Sequence, residues 1–89
     1  MDNIQPIKAA SNAASLLQFD PSATIIRMPE LAAITGLARP TVYKRLKDDP
    51  TFPRPVPLSN STARGAPVGW VLAEVQAWVR QRMAMRGAA

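Results

Sequence analysis

The chain has 89 residues, a length that suits one domain rather than two. It has no cysteine and no histidine, which removes disulfide staples, thiol nucleophiles, imidazole bases and ordinary zinc sites, and leaves only oxygen ligands for a metal. Eleven Lys/Arg against six Asp/Glu give a net charge of +5 and a pI near 10.8, which points to a polyanionic partner, nucleic acid before an anionic membrane. The apolar share of 47% and charged share of 19% fit a small globular domain and argue against disorder along the whole length. No run approaches the roughly 18–20 apolar residues of a membrane span. The N-terminus does not read as a signal peptide, since Asp2 precedes Lys8, and Gln5 and Pro6 interrupt any apolar run. The absence of cysteine makes the cytoplasm the expected compartment.

The charge is uneven. Residues 1–26 carry Asp2, Lys8 and Asp20 and sum to −1, whereas residues 27–89 sum to +6. The folded domain is therefore placed at residues 24–86, after a flexible N-terminal arm at 1–23 and before a tail at 87–89. Within the arm, Ala9–Leu17 allows a helix too short to stand alone, and the arm is either mobile or ordered by a partner. Pro29 and Glu30 suit a first helical turn, Leu31 and Ile34 share a face, and Gly36 suits a left-handed stop, so a helix is predicted over Pro29–Thr35. Arg39 precedes a proline, so the second helix begins at Pro40 and runs to about Asp48, before Pro50. Val42 and Leu46 form its inward stripe. Lys44 falls opposite them, Thr41 and Lys47 lie well outward, and Tyr43 and Arg45 take the flanks.

The alternating prolines Pro53, Pro55 and Pro57 rule out a helix and a central strand. The segment reads as an extended edge ending in a short strand at Val56–Leu58. Ser59–Pro67 is a polar tip with Arg64 beside Gly65, and Val68-Gly69-Trp70 is the returning strand. Leu72, Val75, Val79 and Met83 recur at helical spacing with Trp78 beside them, so a last helix runs toward Gly87, with Arg80, Arg82 and Arg86 in its second half.

Two helices joined at a glycine, the second with an outward basic face, describe a helix-turn-helix. One helix fits a B-DNA major groove, and Arg39, Thr41, Lys44, Arg45 and Lys47 supply donors over less than three turns. The competing reading is a solvated basic face. The spacing of Ala32, Gly36 and Val42 favours a tight helix crossing and hence the motif. The hairpin tip with Arg64 reads as a wing that reaches a minor groove or phosphates, against an ordinary surface loop. Trp70, Trp78 and Phe52 read as core rather than base-stacking platforms. Tyr43 allows both core packing and a hydroxyl on a phosphate. Nothing supports catalysis or a cofactor: Asp48 and Asp49 sit at a helix end and do not converge, and Glu30 and Glu74 are well separated.

The run Arg27-Met28-Pro29-Glu30-Leu31-Ala32-Ala33-Ile34-Thr35-Gly36-Leu37-Ala38-Arg39-Pro40-Thr41-Val42-Tyr43-Lys44-Arg45-Leu46 resembles the AlpA-like family, MerR-related winged-helix regulators and excisionases of prophages and integrative elements. Thr51-Phe52-Pro53-Arg54-Pro55-Val56-Pro57-Leu58 and Val68-Gly69-Trp70 followed by Glu74-Val75-Gln76-Ala77-Trp78-Val79 continue it, over about residues 25–82. Ala38 and Pro40 stand where the family usually has small hydroxyl residues. The resemblance implies a mainly α fold with a small β-hairpin, a MerR-like winged helix-turn-helix. It implies a recognition helix over Arg39–Lys47 and a wing around Ser59–Pro67.

The expected function is that of a non-enzymatic, sequence-specific architectural protein. It is an excisionase (recombination directionality factor) working with an integrase on double-stranded DNA and self-associating on tandem sites. The alternatives are a prophage transcriptional regulator and, in another class, a protein-interaction module on an acidic partner. The expected DNA-binding residues are Arg39, Thr41, Tyr43, Lys44, Arg45, Lys47 and Arg64, with no metal, cofactor or membrane.

Overall fold

The computed structural model describes residues 19–88. Most of the expected arm, with the Ala9–Leu17 segment, therefore lies outside the described residues. The described part begins with a 3-10 turn at Pro21–Ala23. Asp20 organises it: the Ser22 N–H and hydroxyl both donate to Asp20 Oδ1, at 2.9 and 2.7 Å, and the Thr24 hydroxyl donates to the Asp20 carbonyl. The Ser22 hydroxyl and then its amide hold the Asp20 carboxyl below the usual value. This turn packs against the last helix, so the packed unit already includes it.

Three short strands follow in space rather than in sequence: β1 at Ile25–Ile26, β2 at Val56–Pro57 and β3 at Val68–Val71. β3 is central. Its antiparallel partners are β1, with Ile26 opposite Trp70, and β2, with Val56 opposite Gly69. The structure thus adds a third strand to the expected hairpin. Two residues are too few to show a period of two, and the strand exists only because β3 offers an open edge. Gly69 sits under that crossing. A Cβ there would collide with the Ile25 side chain and lie 2.9 Å from the Ile26 carbonyl oxygen.

Helix α1 spans Met28–Thr35 and α2 spans Arg39–Asp48. The Arg27 N–H donates to Glu30 Oε1 at 2.9 Å, which satisfies a donor the helix cannot. Gly36 ends α1 with φ 75°, its N–H on the Ala32 carbonyl at 2.8 Å. Its missing side chain serves this conformation and not a close helix approach, since a Cβ there would meet nothing within 4 Å. Leu31 is fully buried, but Ile34 is 38% exposed. A spacing of three rotates Ile34 to the flank of a helix only two turns long, so the expected shared face is narrower than predicted. Helix α2 starts at Arg39, with Ala38 in extended conformation and no side-chain cap, and the Ala38 carbonyl accepts from the Val42 N–H. Val42 is fully buried and Leu46 packs against the core beside it.

Helix α3 spans Leu72–Met85, with a further 3-10 turn at Arg86–Ala88. Its first N–H, from Leu72, donates to the Thr24 carbonyl at 2.8 Å, so the approach to β1 serves as its cap. Leu72, Val75 and Trp78 join Ile26, Leu31, Val42, Phe52 and Trp70 in one core. Met83, expected on the same stripe, is 50% exposed because the helix runs past the body it packs on. The arrangement is a helix-turn-helix, a sheet-borne wing and a third helix closing the core. Among the described residues no helix is long and apolar enough to cross a membrane.

Candidate nucleic-acid interface

Two devices fix the direction of α2. Its buried Val42 sets the rotation, and the segment after it locks the C-terminal end. Pro50 breaks the helix, and the Asp49 side chain turns back to accept from the Thr51 N–H and hydroxyl at 2.9 and 2.6 Å. Arg54 then reaches under the helix end. Its guanidinium donates to the carbonyls of Leu46 (2.7 Å), Asp49 (2.8 Å) and Phe52 (3.0 Å). These include carbonyls that a helix end leaves without partners. Arg54 was not singled out from sequence, where it is one cation among prolines; its role depends on the Pro-rich segment folding back along α2.

With the helix set, the expected contact residues separate into groups. Lys44 and Lys47 are exposed and, with Pro40 and Tyr43, line a shallow groove on the outer face. Arg39 Nε lies 3.5 Å from the Tyr43 hydroxyl, and both residues are exposed. Thr41 is half-buried. Arg45 turns toward α3 and pairs with Asp48 at 3.0 Å. Arg64 is exposed at the wing tip. The tip is shaped by its own serines: Ser59 Oγ accepts from the Ser61 N–H, and Ser61 Oγ from the Ala63 N–H. The Leu58 N–H donates to the Pro67 carbonyl at 3.0 Å and closes the hairpin base.

Two clefts flank α2. One, of about 330 Å³, lies between α2 and the returning wing, and Arg27, Arg39, Tyr43 and residues 65–68 line it. Arg27 was missed from sequence because it precedes a helix rather than standing on the basic one. The other cleft, of about 600 Å³, lies toward α3 and holds Arg45, Asp48, Asp49, Trp78 and Arg82. Asp48 and Asp49 both line it, but their carboxylates are engaged with different partners. Asp48 takes Arg45, and Asp49 Oδ2 accepts from the Trp78 indole N–H at 3.3 Å. The Thr51 hydroxyl first, then the Thr51 amide, hold the Asp49 carboxyl below its usual value, with smaller help from Trp78 and Arg82. Trp78 also packs edge-on against Phe52, with centroids 4.9 Å apart, and Arg82 lies 5.9 Å above its ring. Both tryptophans are core residues, at 2% and 7% exposure for Trp70 and Trp78. Among the described residues no set of acidic side chains is placed to hold a metal.

A basic helix directed outward by a helix-turn-helix, beside a wing on a three-stranded sheet, defines a winged helix-turn-helix protein. The sequence model of the AlpA family, described as prophage CP4-57 regulatory protein, matches residues 24–83, and the chain belongs to that family. It is 36% identical over 63 residues to a relative in Escherichia coli (strain K12) named DNA-binding transcriptional activator AlpA, covering 65% of this chain and 83% of the relative. No solved structure matches the chain.

Proposed function

We propose that this protein binds double-stranded DNA as a transcriptional regulator of a prophage or integrative element. The observation that carries the reading is the outer face of α2, where Arg39, Lys44 and Lys47 are exposed beside the wing on a chain of the AlpA family. Cations on that face neutralise phosphates, and their exposed ends reach base edges when the helix enters a major groove. Arg64 at the wing tip adds a contact one groove away. The name of the Escherichia coli relative supports a promoter as the target.

A second reading is an excisionase that works with an integrase. The observation favouring it is the spread of cations over two helices, since Arg80 and Arg82 of α3, and Arg86 in the turn after it, are exposed as well as the α2 set. Cations on separate elements hold a duplex along a curved path, and bending brings distant sites together. One recognition helix reads few base pairs, so either role calls for several copies on tandem sites or a partner protein.

A nuclease footprint on the host element, a promoter reporter and a recombination assay with purified integrase separate the two. One operator at a promoter with a change in reporter output supports the regulator. Phased sites beside an attachment site, with excision dependent on this protein, move the assignment to the excisionase. No footprint on any fragment of the element removes both.

A further inference from the structure

We propose that the cleft between the wing and α2 is the seat of one phosphodiester group of the DNA backbone, held by Arg27 together with Arg39. The proposal rests on the DNA-binding reading and adds to it Arg27, a residue on neither the recognition face nor the wing tip, beside Arg39 at the edge of that face. When α2 lies in a major groove and the wing in the adjacent minor groove, the strand dividing the two grooves must pass between them. That passage is this cleft. Arg27 lies on its wall, outside α2, at a point where the backbone is fixed by β1 on one side and α1 on the other.

Among the described residues the charges there are uncompensated. No carboxylate lines the cleft, and neither Arg27 nor Arg39 has an ion-pair partner among the described residues. Glu30, the nearest acidic residue in sequence, spends a carboxylate oxygen on the Arg27 main-chain N–H rather than on its guanidinium. Two guanidinium groups beside one anion are well matched to a phosphate, which takes paired N–H donors. The Tyr43 hydroxyl accepts from Arg39 Nε, so its own proton remains to donate. Met28 and Trp70 supply an apolar floor, over which each charge acts in a weaker dielectric than bulk water. The Trp70 indole N–H on that floor is buried and has no acceptor among the described residues.

The test uses the full chain and a duplex selected by the wild-type protein from a random pool. Affinity is measured against salt for wild type, Arg27→Ala and Arg27→Lys, on the selected duplex and on a scrambled one. It is then measured on a set of selected duplexes, each carrying one neutral methylphosphonate at a different position. Arg27→Ala is expected to lose roughly tenfold in affinity, alike on both sequences, with the log–log salt slope shallower by about one. One methylphosphonate position should weaken wild type by a similar factor and leave Arg27→Ala no weaker than before. Arg27→Lys should restore the slope but not the full affinity, since a point charge lacks the fork. Equal affinity and slope for wild type and Arg27→Ala overturn the seat and leave the regulator standing. A loss confined to the selected duplex also overturns it, because that marks a base contact. If wild type selects no duplex, the seat and the function fall together. Where Arg27→Ala melts early, the scan is compared between wild type and Arg27→Lys, and a position whose neutralisation costs both proteins the same overturns the seat.

Discussion

Both clefts beside α2 hold two arginines and aromatic side chains, and among the described residues only one is without carboxylates in its lining. On the wing side, Arg27 and Arg39 line one cleft with no carboxylate beside them among the described residues. On the α3 side, Arg45 and Arg82 share the larger cleft with Asp48 and Asp49. There the carboxylates are already occupied, one by Arg45 and the other by Thr51 and Trp78, while Arg82 lies over the Trp78 ring. An arginine count does not separate the two places, and neither does size. What separates them is whether the protein has met its own charges, since an anion entering the α3 side would have to displace aspartates that lie closer. The same residue types therefore stabilise the fold on one side of a helix and remain available for a partner on the other.

The largest effect that can break this contrast is at Trp78. Trp78→Ala removes a core side chain that touches Phe52 and loses the bond to Asp49, and should cost roughly 3–5 kcal/mol, close to the whole stability of a domain this small. Thermal and urea unfolding measure it. A variant that melts like wild type but no longer binds DNA would make the ring a stacking platform and the α3 cleft a functional one. Next come Arg39→Ala and Lys44→Ala, on the opposite side of the contrast. Each should leave the melting curve nearly unchanged, as exposed positions do, and weaken binding to the target duplex by about 1–3 kcal/mol if the contact is to a base edge. Unchanged binding for both, with circular dichroism intact, would remove α2 from the groove.

The strongly periodic parts of this molecule were legible before its structure. Val42 and Leu46 set the rotation of α2, Gly36 the turn before it, and Trp70 and Phe52 the core, because apolar spacing and a left-handed glycine are local signals. The starts of α1 and α2 each lie one residue before those expected, at Met28 rather than Pro29 and at Arg39 rather than Pro40. Nonlocal features were not legible. β1 is two residues long and exists by pairing with β3, Ile25 opposite Val71 and Ile26 opposite Trp70. Arg54 became a helix-end donor only once the Pro-rich segment folded back. Arg45, placed on the flank of a helical wheel, was still counted with Lys44 among the DNA donors, yet it pairs with Asp48, one turn on, and lines the α3-side cleft. Arg27 acquired meaning only from a cleft whose far wall is the wing.

Acid should act on the α3 side. Asp49 is held below the ordinary carboxylate value of 3.8 by Thr51, with Trp78 and Arg82 helping. The unfolded chain therefore takes up a proton at a higher pH than the folded one. The stability contributed by Asp49 is present in full above that ordinary value, declines as pH falls through it, and is gone below the folded value. Urea midpoints measured from neutral pH downward should fall in that window. Asp49→Asn, which keeps an acceptor for Thr51 but loses the carboxylate facing Trp78, should start lower and fall less steeply. Asp20, shifted the same way by Ser22, leaves a residual slope in the variant. A parallel fall in both proteins would mean that Asp49 has no part in the acid response.

The smallest expected effect is at Arg45, and it is the sharpest test of the contrast because Arg45 sits on the same helix as Lys44. Its side chain is 34% exposed and pairs with Asp48, itself 47% exposed, at 3.0 Å one turn along. An ion pair so open to water is screened, and Arg45→Ala should cost about 0.2–1 kcal/mol of stability. Its effect on DNA affinity should also be the smallest of the α2 cations, because a phosphate would have to replace a carboxylate already in place. Adding Asp48→Ala to the comparison makes the result informative in both directions. If the pair is purely intramolecular, both single variants bind DNA like wild type. If Asp48→Ala tightens DNA binding and Arg45→Ala then abolishes the gain, Asp48 is restraining a cation that would otherwise reach the backbone. The boundary between the two clefts would then be set by that one carboxylate.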